Sequence, residues 1–397
     1  MRDRGGGLPN GWLAPKLGRM SRAKTRTGKW LWSGKEYFPA VTAALRAARS
    51  SVRLEVYIFS ADQVGLRIRE ELLQACGRGV AVRVLIDTFG SILLPANFWQ
   101  PLEAAGAEVR WFNPPWFKRL GFRDHRKIVV CDEAEAFVGG FNFTAEYDGD
   151  GVHSGWNDLG LELPGAQAVN LARAFDEMFE QAAKAHRPFT RLRRTAASRG
   201  GSAPGGELLL SGPGRGFNPF RRRLREDLES ARDVSIIAAY FLPTWRLRRE
   251  LVGVVKRGGR VRLILPGKSD VPMSQFAARS LYRHLLKAGV EIYEFQPQIL
   301  HTKLILIDGI AYAGSSNLDP RSLYINYELM VRLEAPELTR PAGEHFEQML
   351  RHCEPIELAA WRKQNTWWRR FQQKWSYFVL VHVDPVFVRW RINRVFP

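Results

Sequence analysis

Two stretches hold the residues best suited to chemistry, "HRKIVVCD" at 125–132 and "HTKLILID" at 301–308. Each sets a histidine, a lysine two residues on and an aspartate five further, through a run of aliphatic residues. In an extended chain alternate side chains share a face, so His125 projects with Lys127 and His301 with Lys303. Each stretch thus offers an imidazole and an ammonium side by side. A turn follows both: Gly139, Gly140 and then Asn142 in the first, and Gly314, Ser315, Ser316 and Asn317 in the second.

This set suits a phosphodiester. Lysine and asparagine donate to the anionic oxygens of tetrahedral phosphorus, which makes Asn142, Asn317 and Ser315 the expected phosphate-binding residues. One imidazole can attack phosphorus while another protonates the departing alkoxide, so a single site needs histidines from two places. A histidine used this way also needs an acceptor on its other ring nitrogen. Asp158 in "GWNDLGLEL" and Glu328 in "INYELMV" are the candidates, one downstream in each half. Asp132 and Asp308 complete the catalytic set by motif, but they close the far ends of their strands. Their expected role is structural, through a backbone or charge contact. No metal and no cofactor is called for, because side chains supply the positive charge.

A lone H-x-K on a strand is usually an ordinary surface feature. Two copies, each followed by glycine and asparagine at nearly equal distance, are not explained that way.

The surrounding elements repeat as well. "YFPAVTAALRAARS" has helical spacing, "SVRLEVYIF" reads as a buried strand, "GLRIREELLQACGRG" as a helix stopped by glycine and "VAVRVLIDTFG" as the next strand. Strand, helix, strand favours parallel pairing and an α/β fold. "VSIIAAYFLP", "WRLRRELVGVVKRGG" and "RVRLILPG" repeat the order later. The offset between "RGVAVRVLID" and "RGGRVRLILP" nearly equals that between His125 and His301, which marks an internal duplication.

The expected organisation is a basic lead over 1–33, a first half over 34–193, and a Gly/Ser/Pro-rich linker or long loop over 194–216. A second half over 217–350 and a basic aromatic segment over 351–397 follow. Each half should be a largely parallel or mixed sheet flanked by helices, with the active site between them.

Composition narrows the class. The 397 residues are 45% hydrophobic and 25% charged, ample for one large core or two ordinary ones. Lysine and arginine outnumber acids 59 to 40, a net charge of +19 that favours polyanionic partners such as nucleic acid or an anionic membrane. Cys76, Cys131 and Cys353 are too few and too scattered for a disulfide framework or zinc site. No uninterrupted apolar run reaches membrane-spanning length, so membrane contact is expected to be peripheral.

The doubled H-x-K-x4-D motif with its glycine- or serine-rich turn and asparagine resembles the phospholipase D superfamily. Within it, "GKEYFPAV", "LEVYIF", "DTFGS", "RDHRKIVV", "AFVGGFN" and "GSSNLDPRSLYINYEL" are similar to bacterial cardiolipin synthases of the short type without N-terminal transmembrane helices. The resemblance covers about residues 34–350. It implies two pseudosymmetric halves and a phosphatidyl group carried on a phosphohistidine. It further implies phosphatidylglycerol as substrate, with phosphatidylglycerol or phosphatidylethanolamine as second lipid. His125 is then the implied nucleophile and His301 the acid and base. One departure stands out: the first copy has "GGFN" where the second has "GSSN".

The tail "WRKQNTWWRRFQQKWSYFVLVHVDPVFVRWRINRVFP" interleaves aromatic and basic residues, which suits an anionic lipid interface, and Trp361, Trp367, Trp368, Trp375 and Trp390 are the expected anchors. "PPWFKRLGF" at 114–122 is a second candidate contact. The expected location is the cytoplasmic face of a bacterial membrane. Phospholipase D or nuclease-type phosphodiesterase activity is the competing reading, although concentration of aromatics in the tail argues against nucleic acid as partner. A lipid-binding scaffold without activity is disfavoured because both His-Lys-Asp sets are intact. One chain holds both histidines, so no oligomer is required.

Overall fold

The computed structural model describes residues 28–113, 123–182, 202–203, 206–213 and 218–383. The first half runs β1 (Lys29–Leu31), α1 (Gly34–Ala47), β2 (Ser51–Val56), α2 (Gln63–Gly77), β3 (Ala81–Asp87), α3 (Gln100–Ala104) and β4 (Glu108–Phe112). The chain then returns through β5 (Ile128–Cys131), β6 (Glu135–Gly139), β7 (Gly160–Pro164) and α4 (Ala166–Ala182). Its seven-stranded sheet has the order β1-β7-β6-β5-β2-β3-β4. β2, β3 and β4 are parallel, as the strand, helix, strand pattern requires. β5, β6 and β7 join antiparallel, so the sheet is mixed.

The second half opens with β8 (Ser202–Ala203), β9 (Gly206–Ser211), α5 (Pro219–Ser230), β10 (Asp233–Ala238), α6 (Trp245–Lys256), β11 (Arg260–Pro266), α7 (Pro272–Lys287) and β12 (Glu291–Phe295). It continues through β13 (Lys303–Ile307), β14 (Ile310–Gly314), α8 (Pro320–Tyr324), β15 (Glu328–Leu333), α9 (Pro336–Leu350) and β16 (Cys353–Pro355). The chain closes with α10 (Leu358–Gln364), α11 (Trp367–Phe378) and a π-helical turn at Val379–Val383. The nine-stranded sheet, β16-β12-β11-β10-β13-β14-β15-β9-β8, repeats the plan, with β10, β11 and β12 parallel.

Hydrophobic patterning decides how the halves meet. Helices on the outer faces bury their apolar stripes, as α1 does with Tyr37, Phe38, Val41 and Leu45. The opposite faces of the two sheets share one core: Ile128, Val130, Val138 and Leu161 lie in the same cluster as Leu304, Ala313, Leu329 and Val331. At about 1.5–3 kcal/mol per buried aliphatic side chain, that cluster holds the halves together and fixes what lies at its rim.

Two boundaries differ from the sequence reading. Lys29–Leu31, inside the expected lead, pairs with β7, and the Trp30 indole donates to the Leu338 carbonyl of the second half at 2.8 Å. Gly206–Ser211, inside the expected linker, pairs with β15 as part of the second sheet. Both are short, and their patterns are too brief to separate from loop by periodicity. Residues 114–122, 183–201 and 384–397, with the "PPWFKRLGF" loop and Trp390, lie outside the described residues.

Candidate active site

β5 starts at Ile128 and β13 at Lys303, so the motif histidines occupy the extended lead into each strand rather than the strand itself. Each lead is pinned by the other half. His125 N–H donates to the Tyr327 carbonyl at 2.9 Å, and His301 N–H donates to the Asn157 carbonyl at 2.7 Å. Tyr327 and Asn157 directly precede Glu328 and Asp158 in sequence. This backbone bridge delivers each acid to the histidine of the opposite half.

The side chains follow. His125 Nδ1 lies 3.0 Å from Glu328 Oε2, and His301 Nδ1 lies 2.5 Å from Asp158 Oδ2. A ring that donates through Nδ1 leaves Nε2 with its lone pair free. All four groups are buried. The sequence placed one acid in each half; the structure crosses the pairs, because the acid-bearing strands lie at the interface between sheets.

Burial sets the charge state. It pushes His125 down to about 4, against the pull of Glu328. His301 is also lowered by burial, with the Lys303 charge adding to the effect. Lys127 and Lys303 lie beneath the imidazoles and are lowered by burial to about 7 and about 8. Lys127 Nζ donates to the His125 carbonyl at 2.7 Å, and Lys303 Nζ donates to the His301 carbonyl. The Lys303 ammonium also stands 2.7 Å from His301 Nδ1. That nitrogen cannot accept from it while donating to Asp158.

The histidines open on one cavity of about 350 Å³, whose wall includes Asn142 and Asn317. Asn142 Nδ2 donates to the Tyr147 hydroxyl at 2.9 Å, and Asn317 carries a buried side-chain oxygen with no hydrogen-bond partner among the described residues. Ser315 is not in that wall. Its hydroxyl donates to Glu328 Oε2 at 2.5 Å and accepts from Leu329 N–H at 3.0 Å, so it steadies the acid and does not face the cavity.

The same position explains the GGFN and GSSN departure. Gly140 matches Ser315, and a Cβ placed on Gly140 would stand 2.2 Å from Asp158 Oδ1 and 2.3 Å from Oδ2. The shorter acid sits against bare backbone in one half, and the longer one takes a hydroxyl in the other.

Asp132 and Asp308 stay far from the cavity. Asp132 accepts backbone N–H groups of Arg49, Ser50 and Ser51 at 2.8–2.9 Å, and Asp308 accepts those of Arg232 and Asp233. Both have positive φ, 54° and 46°. They pin the tight turn after the motif strand to the entry of β2 or β10 and are not part of the reacting group. Although partial burial opposes it, the donors from Ser51, Ser50 and Arg49 hold Asp132 down at about 2.

Sequence reasoning missed several wall residues. Tyr57, Arg123, Tyr147, Trp156, Tyr240 and Asp270 line the cavity, and only Tyr57 and Tyr240, each just past a duplicated strand, left a recognisable signal.

Comparison with known proteins bears on this geometry. Residues 41–151 and 224–350 match the family described as "Cardiolipin synthase, PLD-like domain". Cardiolipin synthase B of Escherichia coli strain K12 is 32% identical over 383 residues, covering 91% of this chain and 89% of that protein. The chain belongs to this cardiolipin synthase, PLD-like family.

As a family member it is an enzyme, a phosphatidyl transferase. Cardiolipin synthase 1 of Bacillus anthracis is similar too, at 31% identity over 89% of this chain and 72% of that protein. The solved phosphatidylserine synthase of Haemophilus influenzae superposes with a TM-score of 0.71 at 15% identity, covering 91% of this chain and 94% of that one. Polyphosphate kinase of Porphyromonas gingivalis reaches 0.59 at 15% identity over 89% of this chain and 52% of that one. At such identities these structures share the fold alone.

Proposed function

We propose that the chain joins phosphatidylglycerol to a second phospholipid, phosphatidylglycerol or phosphatidylethanolamine, to make cardiolipin through a phosphohistidine. His125 Nε2 attacks the phosphorus of the donor lipid, and the bond from phosphorus to the headgroup oxygen breaks. His301, carrying a proton on each ring nitrogen when the donor lipid is bound, gives that oxygen the proton of its Nε2 and is left as the neutral base for the second step. The terminal hydroxyl of phosphatidylglycerol then loses its proton to His301 and attacks the same phosphorus, breaking the P–N bond. Lys127, Lys303, Asn142 and Asn317 offset the charge on the phosphoryl oxygens, while Glu328 and Asp158 orient the rings. The observation that carries this reading is the pair of crossed imidazole–carboxylate contacts opening on one cavity.

In this reading the chain works peripherally at the cytoplasmic face of an anionic membrane. No described helix is long and apolar enough to cross a bilayer. α11 packs on α7 and buries Gln373 and Ser376, leaving Trp367, Trp368, Phe371, Trp375 and Phe378 half or more exposed among Arg369, Arg370 and Lys374. An apolar ridge flanked by cations suits an anionic interface. It leads into Leu380, which lines the cavity. Ile92 and Leu93, 68% and 95% exposed, lie beyond Phe89, which stacks on the cavity residue Arg123. Trp361 departs from the expected anchor set, because its half-buried ring packs on Tyr282 at 5.0 Å, against the second-half core.

The test is incubation of the purified chain with phosphatidylglycerol vesicles and mass spectrometry of the lipids, with His125→Ala as control. Cardiolipin and free glycerol, absent from the control, are expected. Phosphatidic acid alone would make it a phospholipase. No lipid change, with cleavage of single-stranded DNA, would overturn the lipid reading.

A further inference from the structure

The cavity is built on a duplicated frame, yet the tyrosines at its two ends have partners of opposite charge. Each half sets a tyrosine just past its central strand and beside its own histidine. The Tyr57 and His125 ring centroids are 4.8 Å apart, and those of Tyr240 and His301 6.3 Å. The partners of the two phenols differ. Tyr57 Oη accepts from the Arg123 guanidinium at 2.8 Å, whereas Tyr240 Oη donates to Asp270 Oδ2 at 2.6 Å.

Asp270 has acceptor capacity to spare. A carboxylate offers about four lone-pair positions. Tyr240 uses one, and Oδ1 receives a long contact from Ser269 Oγ at 3.4 Å. Of the other acids, Glu328 and Asp158 hold the histidines and are not in the cavity wall, Glu328 Oε1 being buried without a partner among the described residues, and Asp319 in the wall caps α8 by accepting the N–H groups of Arg321 and Ser322. Asp270 stands in the wall near His301, in the loop between β11 and α7.

A carboxylate there repels a phosphate and attracts hydroxyl donors. The phosphodiester charge is then drawn toward Arg123 and the lysines, and the alcohol part of the lipid toward Asp270. We propose that Asp270, positioned by Tyr240, receives the hydroxyls of a glycerol headgroup at the His301 end of the cavity and so selects a polyol as the group that leaves and enters there. This rests on the phosphatidyl-transfer reading above. It names phosphatidylglycerol as the favoured partner in both steps and assigns the alcohol end to His301. An ammonium headgroup would also meet a carboxylate, but it would share the cavity with Arg123 and Arg321, with Lys127 and Lys303 buried behind the histidines, whereas a neutral polyol meets no repulsion.

The experiment supplies the full chain, on phosphatidylglycerol vesicles, with isotope-labelled glycerol, methanol and ethanolamine together as acceptors. The phosphatidyl products are counted by mass spectrometry. Wild type should favour glycerol. Asp270→Asn and Asp270→Ala should lower the glycerol to methanol ratio about tenfold or more, the scale of losing a hydrogen bond to a charged acceptor. Tyr240→Phe, which keeps the carboxylate but loosens it, should lower the ratio by less. An unchanged ratio in both Asp270 variants would overturn the assignment, as would loss of ethanolamine transfer alone. A wild-type protein that forms no phosphatidyl product would remove the transfer reading and the assignment with it.

Discussion

The imidazole of His125 is held by Glu328, a residue 203 positions further along, at 3.0 Å, while Asp158 holds His301 in the reverse direction. Neither half contains a complete histidine pair of its own. Glu328→Gln is therefore expected to act as a His125 variant. Asp158→Asn should act on His301, with kcat lowered on the order of a hundredfold or more in each. Trapping of a phosphorylated enzyme separates them. Asp158→Asn should still accumulate phosphohistidine from a substrate with a good leaving group, and Glu328→Gln should not. The opposite pattern would exchange the two roles.

Gly140 leaves no room for a side chain beside Asp158. Gly140→Ser, which copies the other half, should displace the acid and lower kcat at least tenfold, with a stability loss of about 1–3 kcal/mol. Ser315→Ala is expected to keep the fold and weaken catalysis less, since Glu328 loses one hydroxyl donor and keeps its histidine. Denaturant unfolding beside kinetics checks both.

Acidity should act on stability through His125. Its folded pKa of about 4 lies below the ordinary 6.5, so between those values the unfolded chain takes a proton that the folded chain refuses. Stability then falls as pH drops through that window, by about 3 kcal/mol for this group. Thermal melts from pH 7 to 4 should show a shallower slope in His125→Phe, with His301 and His345, which burial also lowers, supplying the remainder.

Lys127 and Lys303 work at the other end. With folded values of about 7 and about 8, against 10.5 unfolded, they release protons that the unfolded chain keeps, so stability rises as pH climbs above 7. Activity should move the other way, because a neutral lysine no longer offsets phosphoryl charge. We expect kcat/KM to fall through pH 7–8 while the melting temperature does not fall; a parallel loss of both would contradict the assignment.

The α11 ridge gives a prediction for lipid binding. Replacing Trp368 and Phe371 by serine should weaken binding to anionic vesicles at least tenfold, as loss of two interfacial aromatics implies. Cleavage of a short-chain soluble phosphodiester should change little. Sedimentation with vesicles of increasing anionic content measures the first.

The histidines, lysines and asparagines were legible because duplication writes them twice in the same order. The acids Asp158 and Glu328 were legible as candidates, but not their crossing, which depends on how two sheets stack. Ser315 looked like a phosphate ligand because its type and turn fit, and only packing shows its hydroxyl spent on Glu328. Asp270 left no signal, since it sits in an unduplicated loop. β1 and β9 were missed because three to six residues carry little periodicity. Trp361 and Trp367 look alike in sequence, yet a few residues of separation put one half-buried against the core and one in solvent.

The crossed acids have a consequence for synthesis of the chain. During translation the first half can fold around its own core long before Glu328 exists, and until then His125 has no carboxylate to orient it. On the transfer reading, a polypeptide that ends before Glu328 should therefore show no activity toward phospholipid. Reactivity appears only when both halves have closed on each other, so completion of the chain is itself the safety catch.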